Sequence, residues 1–259
     1  MTTSYLRNSA CVSLLCVSAL GLHAAPLTLA GSGTTVDFYF DAGFWGSAPA
    51  FTVVGDNISF DRIALTAVTP GGTNGGSDSQ SFNALPGKAA LVAVARAGFD
   101  FGGGYSANLG FNGSFALQGQ GLVAAVHGAD LYAGSFGGGV FGAVSLLDSL
   151  FADASSTSLG SGILNADATA LTGSVGAGQS LALVDLFTVA EVFQDGVGNA
   201  SATLSSLNYT ISAARRHAVP EPASWGLVLT LLAGLAAARP RRHTSPRTDA
   251  SWRAVAANR

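Results

Sequence analysis

The chain has 259 residues, with twelve lysines and arginines against fifteen aspartates and glutamates, for a formal net charge of −3. The charge is unevenly divided: residues 25–218 hold about thirteen acidic and five basic side chains, while the stretch after Ala238 is positive. An acidic body repels the phosphates that nucleic-acid binders hold with lysine and arginine, which excludes that class of partner.

Residues 1–24 carry Arg7 ahead of an apolar stretch from Ala10 to Leu22, with the small residues Ala24 and Ala25 next. That order predicts a secretory signal peptide. A cut after Ala24 places Leu22 at minus three; a cut after Ala30, with Thr28 at minus three, is the alternative. Leu15 before Cys16 argues against lipoprotein processing. Cys11 and Cys16 both leave with the signal, so the mature chain has no thiol for a disulfide, a metal or a nucleophile. Packing or bound ions must then hold an exported protein together.

Residues 25–214 are rich in Gly, Ala, Ser, Thr and Asn and poor in Lys, Glu and Met. Short apolar alternations between glycine clusters predict an all-β sandwich or barrel-like domain with one or two short helices. Val36, Phe38 and Phe40 alternate with Asp37, Tyr39 and Asp41, as a strand with one buried face requires. After a turn over 43–49, residues 51–54 and 58–60 pair through Gly55-Asp56-Asn57, and Ile63, Leu65 and Ala67 continue the alternation. Residues 69–81 read as a loop too glycine-rich for regular structure. Residues 89–95 suit a strand or a buried helix.

Tyr105, Ala107, Leu109 and Phe111 alternate cleanly, and Asn112-Gly113 then gives the strongest hairpin signal, with Phe115 and Leu117 on the returning strand. Residues 122–126 and 131–136 predict two more strands, closed by Gly137-Gly138-Gly139. Leu146, Leu147, Leu150 and Phe151 fall at helical spacing and predict a short helix over 145–152. Residues 181–194 fit either helix or strand. Leu207, Tyr209 and Ile211 form a closing strand.

The last forty residues change character. Val219-Pro220-Glu221-Pro222-Ala223 is a stiff linker, because each proline fixes φ and lacks an N–H donor. Trp225 is a side chain suited to a membrane–water interface. Residues 226–238 are uncharged and predict a single short apolar helix, stopped by Arg239, Arg241 and Arg242. Arginines there keep that end cytoplasmic while the body is exported. The division is therefore 1–24 signal, 25–214 β-rich domain, 215–242 linker, helix and basic cluster, and 243–259 polar basic tail.

This order, in these residues, resembles the C-terminal sorting signal of PEP-CTERM proteins, which exosortases recognise in exopolysaccharide-producing Gram-negative bacteria. The chain departs from that pattern in continuing from His243 to Arg259. The resemblance implies export through the inner membrane, transient anchoring by the helix, and cutting near Pro220-Glu221-Pro222 by an exosortase-like partner. Delivery to the cell surface or extracellular matrix follows, for a structural or adhesive role in biofilm or exopolysaccharide. The Phe- and Asp-rich opening of the body and its Asn-Tyr-Thr-Ile close also resemble the β-rich ectodomains carried by such tails.

Chemistry within the body is sparse. His127 is its one histidine before residue 217, too few for a zinc site, and it reads as a loop or strand-edge residue. Gly31-Ser32-Gly33 and Gly160-Ser161-Gly162 are too short for a nucleophile elbow. Glu191 is the single glutamate, so a glycosidase-type pair would need two aspartates. Asp37, Asp41, Asp56, Asp61 and Asp78 beside glycine loops suit calcium better, which takes six to eight oxygens. Gly102-Gly103-Gly104 and Gly137-Gly138-Gly139 read as turns, with no lysine following to hold a phosphate. The expected body is non-enzymatic. The alternatives are a lectin-like carbohydrate-binding module, with Tyr39, Phe44 and Trp45 as contact aromatics, or a secreted hydrolase.

Overall fold

Proline placement sets strand length in this chain. Pro49, Pro70 and Pro86 divide the first third, and none follows until Pro220. Proline cannot donate to a strand ladder, so only the later stretch supports long strands. The computed structural model, which describes residues 26–46, 49–61, 63–69, 71–72, 74–216 and 229–232, shows this division. The first third holds the short strands β1 (Thr28–Ser32), β2 (Val36–Phe40), β3 (Phe51–Val54), β4 (Asn57–Phe60), β5 (Leu65–Val68), β6 (Gly76–Asn83) and β7 (Ala89–Ala95). It also holds helix α1 (Ala42–Trp45). The long strands β8 (Phe99–Leu117), β9 (Gln120–Gly137) and β10 (Val140–Ser156) follow. Then come the short β11 (Gly160–Ile163), β12 (Ala166–Asp167) and β13 (Leu171–Gly173), and finally the long β14 (Ser180–Asp195) and β15 (Ala200–Arg215).

The strands form two antiparallel sheets. Sheet 1 runs β1-β2-β7-β14-β9-β10, with β6 also on β14. Sheet 2 runs β11-β8-β15-β4-β3, with β12 and β13 on β8 and β5 on β15. Their inner faces form one apolar core, the arrangement of a β-sandwich. Val36, Phe38 and Phe40 from β2 meet Leu109 and Phe111 from β8 and Leu207, Tyr209 and Ile211 from β15 in that core. Alternating burial in β2 and β15 puts these residues inside, as their spacing predicts.

Several sequence expectations need correction. Asn112-Gly113 makes no hairpin: β8 runs straight through it, opposite Ser206 and Leu204 of β15. A bulge in β15 at Ser205 faces it, and the Ser205 hydroxyl donates to the Asn112 carbonyl at 3.1 Å. Glycine is needed at 113 for space, since a Cβ there would stand 3.1 Å from the Leu164 carbonyl and 2.9 Å from a Leu204 methyl. Gly113→Ala is therefore expected to lower stability by about 1–3 kcal/mol, and Asn112→Ala, on the exposed side, by less than about 1 kcal/mol. Urea unfolding of both variants checks this, and a neutral Gly113→Ala would refute the close approach.

The helix expected over 145–152 is part of β10. Bulges between Ala143 and Ser145 and between Leu146 and Asp148 change which parity faces the core, and so imitate helical spacing. Residues 76–81 of the expected 69–81 loop belong to β6, because β14 supplies a partner from Phe187 to Gln194. The two strands expected over 122–136 are one, β9. Gly102-Gly103-Gly104 lies inside β8, not in a turn. The turn at Gly138-Gly139 is real, with φ of 60° and 77°, and it joins β9 to β10 as a two-residue hairpin.

Residues 217–259 form a separate compact unit. Within it residues 229–232 are helical, with Leu229, Leu231 and Leu232 exposed. Among the described residues no helix is long and apolar enough to cross a membrane, which says nothing of spans made by strands.

Candidate functional site

The sorting-signal residues Val219, Pro220, Glu221, Pro222, Ala223, Trp225, Arg239, Arg241 and Arg242 lie outside the described residues. The candidate calcium carboxylates lie inside, and each has its own partner. Asp37 faces Arg96 at 3.6 Å. Asp41 caps α1, its Oδ1 accepting from Gly43 N–H at 2.8 Å. Asp56 accepts from the Thr35 N–H and hydroxyl at 2.7 and 2.8 Å, and Thr35 Oγ1 accepts in turn from Ala213 N–H at 2.9 Å. That relay ties the β1–β2 and β3–β4 turns to β15. Asp61 accepts from Thr52 and Ser59 hydroxyls, both at 3.3 Å. Asp78 accepts from Val68 N–H at 2.9 Å, a bond that lowers its pKa. No group of three or more His, Cys, Asp or Glu side chains comes together among the described residues.

Asp78 and Glu191 both line a surface depression of about 430 Å³, with Leu122 and Phe193. They do not converge. Glu191 pairs with Ser79 and Asp78 with Val192, so successive pleats point the two carboxylates to opposite faces.

His127 is neither in a loop nor at an edge. It sits mid-strand in β9, fully buried between the sheets, because odd positions of β9 face the core. Its Nδ1 lies 3.0 Å from the Phe187 carbonyl and 2.9 Å from Thr188 Oγ1, so Nδ1 carries the proton and donates to the carbonyl. The unprotonated Nε2 has no hydrogen-bond partner among the described residues, and the edge-on Tyr209 ring is 5.4 Å away between centroids. Burial holds the imidazole pKa down to about 4, against the raising effect of the Phe187 carbonyl. The Tyr209 hydroxyl also has no hydrogen-bond partner among the described residues, and the same burial raises its pKa well above the ordinary value.

The proposed sugar-contact aromatics are split apart. Trp45 is buried, its ring centroid 4.7 Å from Phe60 and 5.3 Å from Phe51, and its Nε1–H donates to the Ala90 carbonyl at 2.8 Å. Phe44 stacks on Phe82 at 4.5 Å and packs partly against the core. Tyr39 alone lies on the outer side of sheet 1, 4.5 Å from Phe136.

Sheet 2 presents a different outer face. Asn108, Thr210 and Asn57 stand in one register row, Gly110, Asn208 and Ser59 in the next, and Ser114, Thr203 and Thr66 in another. Asn57 Nδ2 donates to Thr210 Oγ1 at 2.9 Å, and Thr66 and Thr203 hydroxyls bond at 3.2 Å. The result is a broad lattice of hydroxyls and amides, with Asp167 set over Gly110 at one end of a row and Asp61 accepting from Ser59 and Thr52 at the other. Its sequence signal was visible in the serines, threonines and asparagines that alternate with the apolar residues of 105–114 and 201–212.

No family model matches the chain, and no curated protein matches it. Among solved structures, the chain is similar to Eiger TNF from S. frugiperda at 12% identity, covering 62% of this chain and 99% of that one, with a TM-score of 0.19. It is also similar to infectious bursal disease virus, Gx strain, at 14% identity, covering 73% of this chain and 49% of that one, with a TM-score of 0.15.

Proposed function

We propose that the chain is exported and sorted to the cell surface or extracellular matrix, where its β-sandwich has a structural or adhesive, non-enzymatic role. An exosortase-like enzyme cuts near Pro220-Glu221-Pro222 while residues 226–238 hold the protein at the inner membrane. The observation that carries this reading is the order of proline linker, Trp225, apolar run and Arg239, Arg241 and Arg242 behind an N-terminal signal. Two features of the body support it. Signal cleavage after Ala24 leaves β1 whole, whereas cleavage after Ala30 would remove its first three residues. Strand β15 ends at Arg215, so the linker follows directly from the last strand of the sandwich.

A carbohydrate-contacting role is a second reading, favoured by the polar lattice on sheet 2. Hydroxyls and amides, with the acceptor carboxylates Asp61 and Asp167 among them, match the donors and acceptors of a hydroxyl-rich polysaccharide. Mass analysis of the mature protein from its host tests the sorting reading. The expected species starts at Ala25 and lacks everything beyond the Pro220-Glu221-Pro222 region. A protein at the inner membrane with residues 223–259 intact would overturn it.

A further inference from the structure

Sheet 1 buries apolar side chains on both of its faces. The inner face belongs to the shared core. The outer face carries a separate cluster in which Val92 and Ala182 are fully buried beneath Tyr39, Tyr132, Phe136 and Phe141. One register row, Leu29–Tyr39–Val92–Ala182–Tyr132–Leu146, crosses the sheet from β1 to β10 without a charge. Apolar residues continue down β14, β9 and β10 as Phe187, Val126 and Phe151, then Phe193 and Leu122. Leu146, Phe151 and Phe193 are each about half exposed, at 51%, 53% and 51%. An antiparallel sheet with a solvated face alternates apolar with polar residues, as sheet 2 does. Sheet 1 breaks that rule within the same chain, and exposed apolar patches beyond a few hundred Å² mark interaction surfaces.

We propose that the outer face of sheet 1 packs on the same face of a second copy of this chain, giving a two-fold dimer of stacked sandwiches. The area suffices. At about 3.3 Å per residue and about 4.8 Å between strands, the face spans roughly 1,100 Å², against about 800 Å² per partner in a standard stable interface. An isologous contact needs one self-complementary patch, which this face supplies. Edge pairing is disfavoured, because two bulges interrupt β10 at its free edge. The charges disfavour an anionic occupant: Asp130, Asp153 and Glu191 stand on the face and Asp37 is paired with Arg96, so anionic lipid is repelled. Each copy brings the same three carboxylates to the contact, so salt strengthens the dimer by screening them.

Sedimentation of the full chain without detergent, from low to high micromolar, tests this. The native chain is expected to dimerise, and more tightly at high than at low ionic strength. Leu146→Glu and Phe151→Glu should each raise the dissociation constant by more than about tenfold, while Thr203→Glu on the outer face of sheet 2 leaves it unchanged. Circular dichroism confirms that each variant keeps the sandwich, and the milder Phe151→Ser provides a second reading at the same position. A chain that stays monomeric at both salt concentrations overturns the proposal. So does association that survives both glutamate variants and disappears with Leu229→Ser and Leu231→Ser, or weakens equally with Thr203→Glu.

Discussion

Trp45→Ala is expected to lower the stability of the sandwich by about 3–5 kcal/mol, the range for removing a large buried aromatic. Trp45 sits at the C-terminal end of α1, a four-residue helix capped by Asp41 and closed at Gly46. Its ring makes edge contacts with Phe44, Phe51, Phe60 and Tyr209, at centroid distances from 4.7 to 6.2 Å. Those partners come from α1, β3, β4 and β15, so one indole joins the first third of the chain to the last strand. Removal leaves a cavity between the sheets and strips the Ala90 carbonyl of its 2.8 Å donor. Marginal domains hold only about 5–15 kcal/mol in total, so the variant should unfold at a much lower urea concentration with an unchanged slope. Trp45→Phe separates the two losses: it keeps most of the packing and gives up mainly the hydrogen bond, worth about 1–2 kcal/mol. A loss under about 1 kcal/mol for Trp45→Ala would mean that the ring does not anchor the core.

The parts of this fold that could be read in advance are those where one residue type repeats every second position without interruption. Val36, Phe38 and Phe40, the 51–60 hairpin and the Leu207–Tyr209–Ile211 strand are of this kind. Bulges defeat the same logic. At Ser205 a bulge lets Asn112-Gly113 continue as strand, although both residues favour a tight turn. In β10 two bulges shift the apolar residues between faces, and the resulting spacing mimics a helix. Strand β6 was hidden for another reason: Gly76-Ser77-Asp78-Ser79 has little strand preference of its own and pairs because β14 offers a partner.

Candidate chemistry was less legible than the fold, because burial and partner choice depend on tertiary contacts. Trp45 and Tyr39 are six residues apart, yet one closes the core and the other faces outward. Asp41 and Asp56 beside glycines look alike as possible ion ligands, yet Asp41 caps its own helix at Gly43 N–H and Asp56 accepts from Thr35 N–H of a neighbouring turn. A two-sided apolar sheet did leave a trace. Residues 131–133 and 181–184 are apolar at consecutive positions, which a strand with one solvated face does not need.

Acid should loosen this protein through one side chain before its carboxylates titrate. His127 is neutral in the fold, with a pKa held near 4 by burial, whereas an unfolded chain protonates histidine near 6.5. The folded value is the lower of the two, so the unfolded chain takes up the proton first as pH falls. The stability from a neutral His127 is whole above about pH 6.5 and is lost progressively toward about pH 4. Complete loss amounts to about 3 kcal/mol, at roughly 1.4 kcal/mol for each pH unit crossed. The proton would enter at Nε2, which is buried and has no hydrogen-bond partner among the described residues, so nothing there offsets the buried charge. His127→Asn keeps a donor for the Phe187 carbonyl and removes the titration. Its unfolding free energy should change less between pH 6.5 and 5 than that of the native chain, a window in which ordinary carboxylates remain ionised. Equal slopes for the two proteins would show that His127 gains its proton without unfolding the sandwich around it.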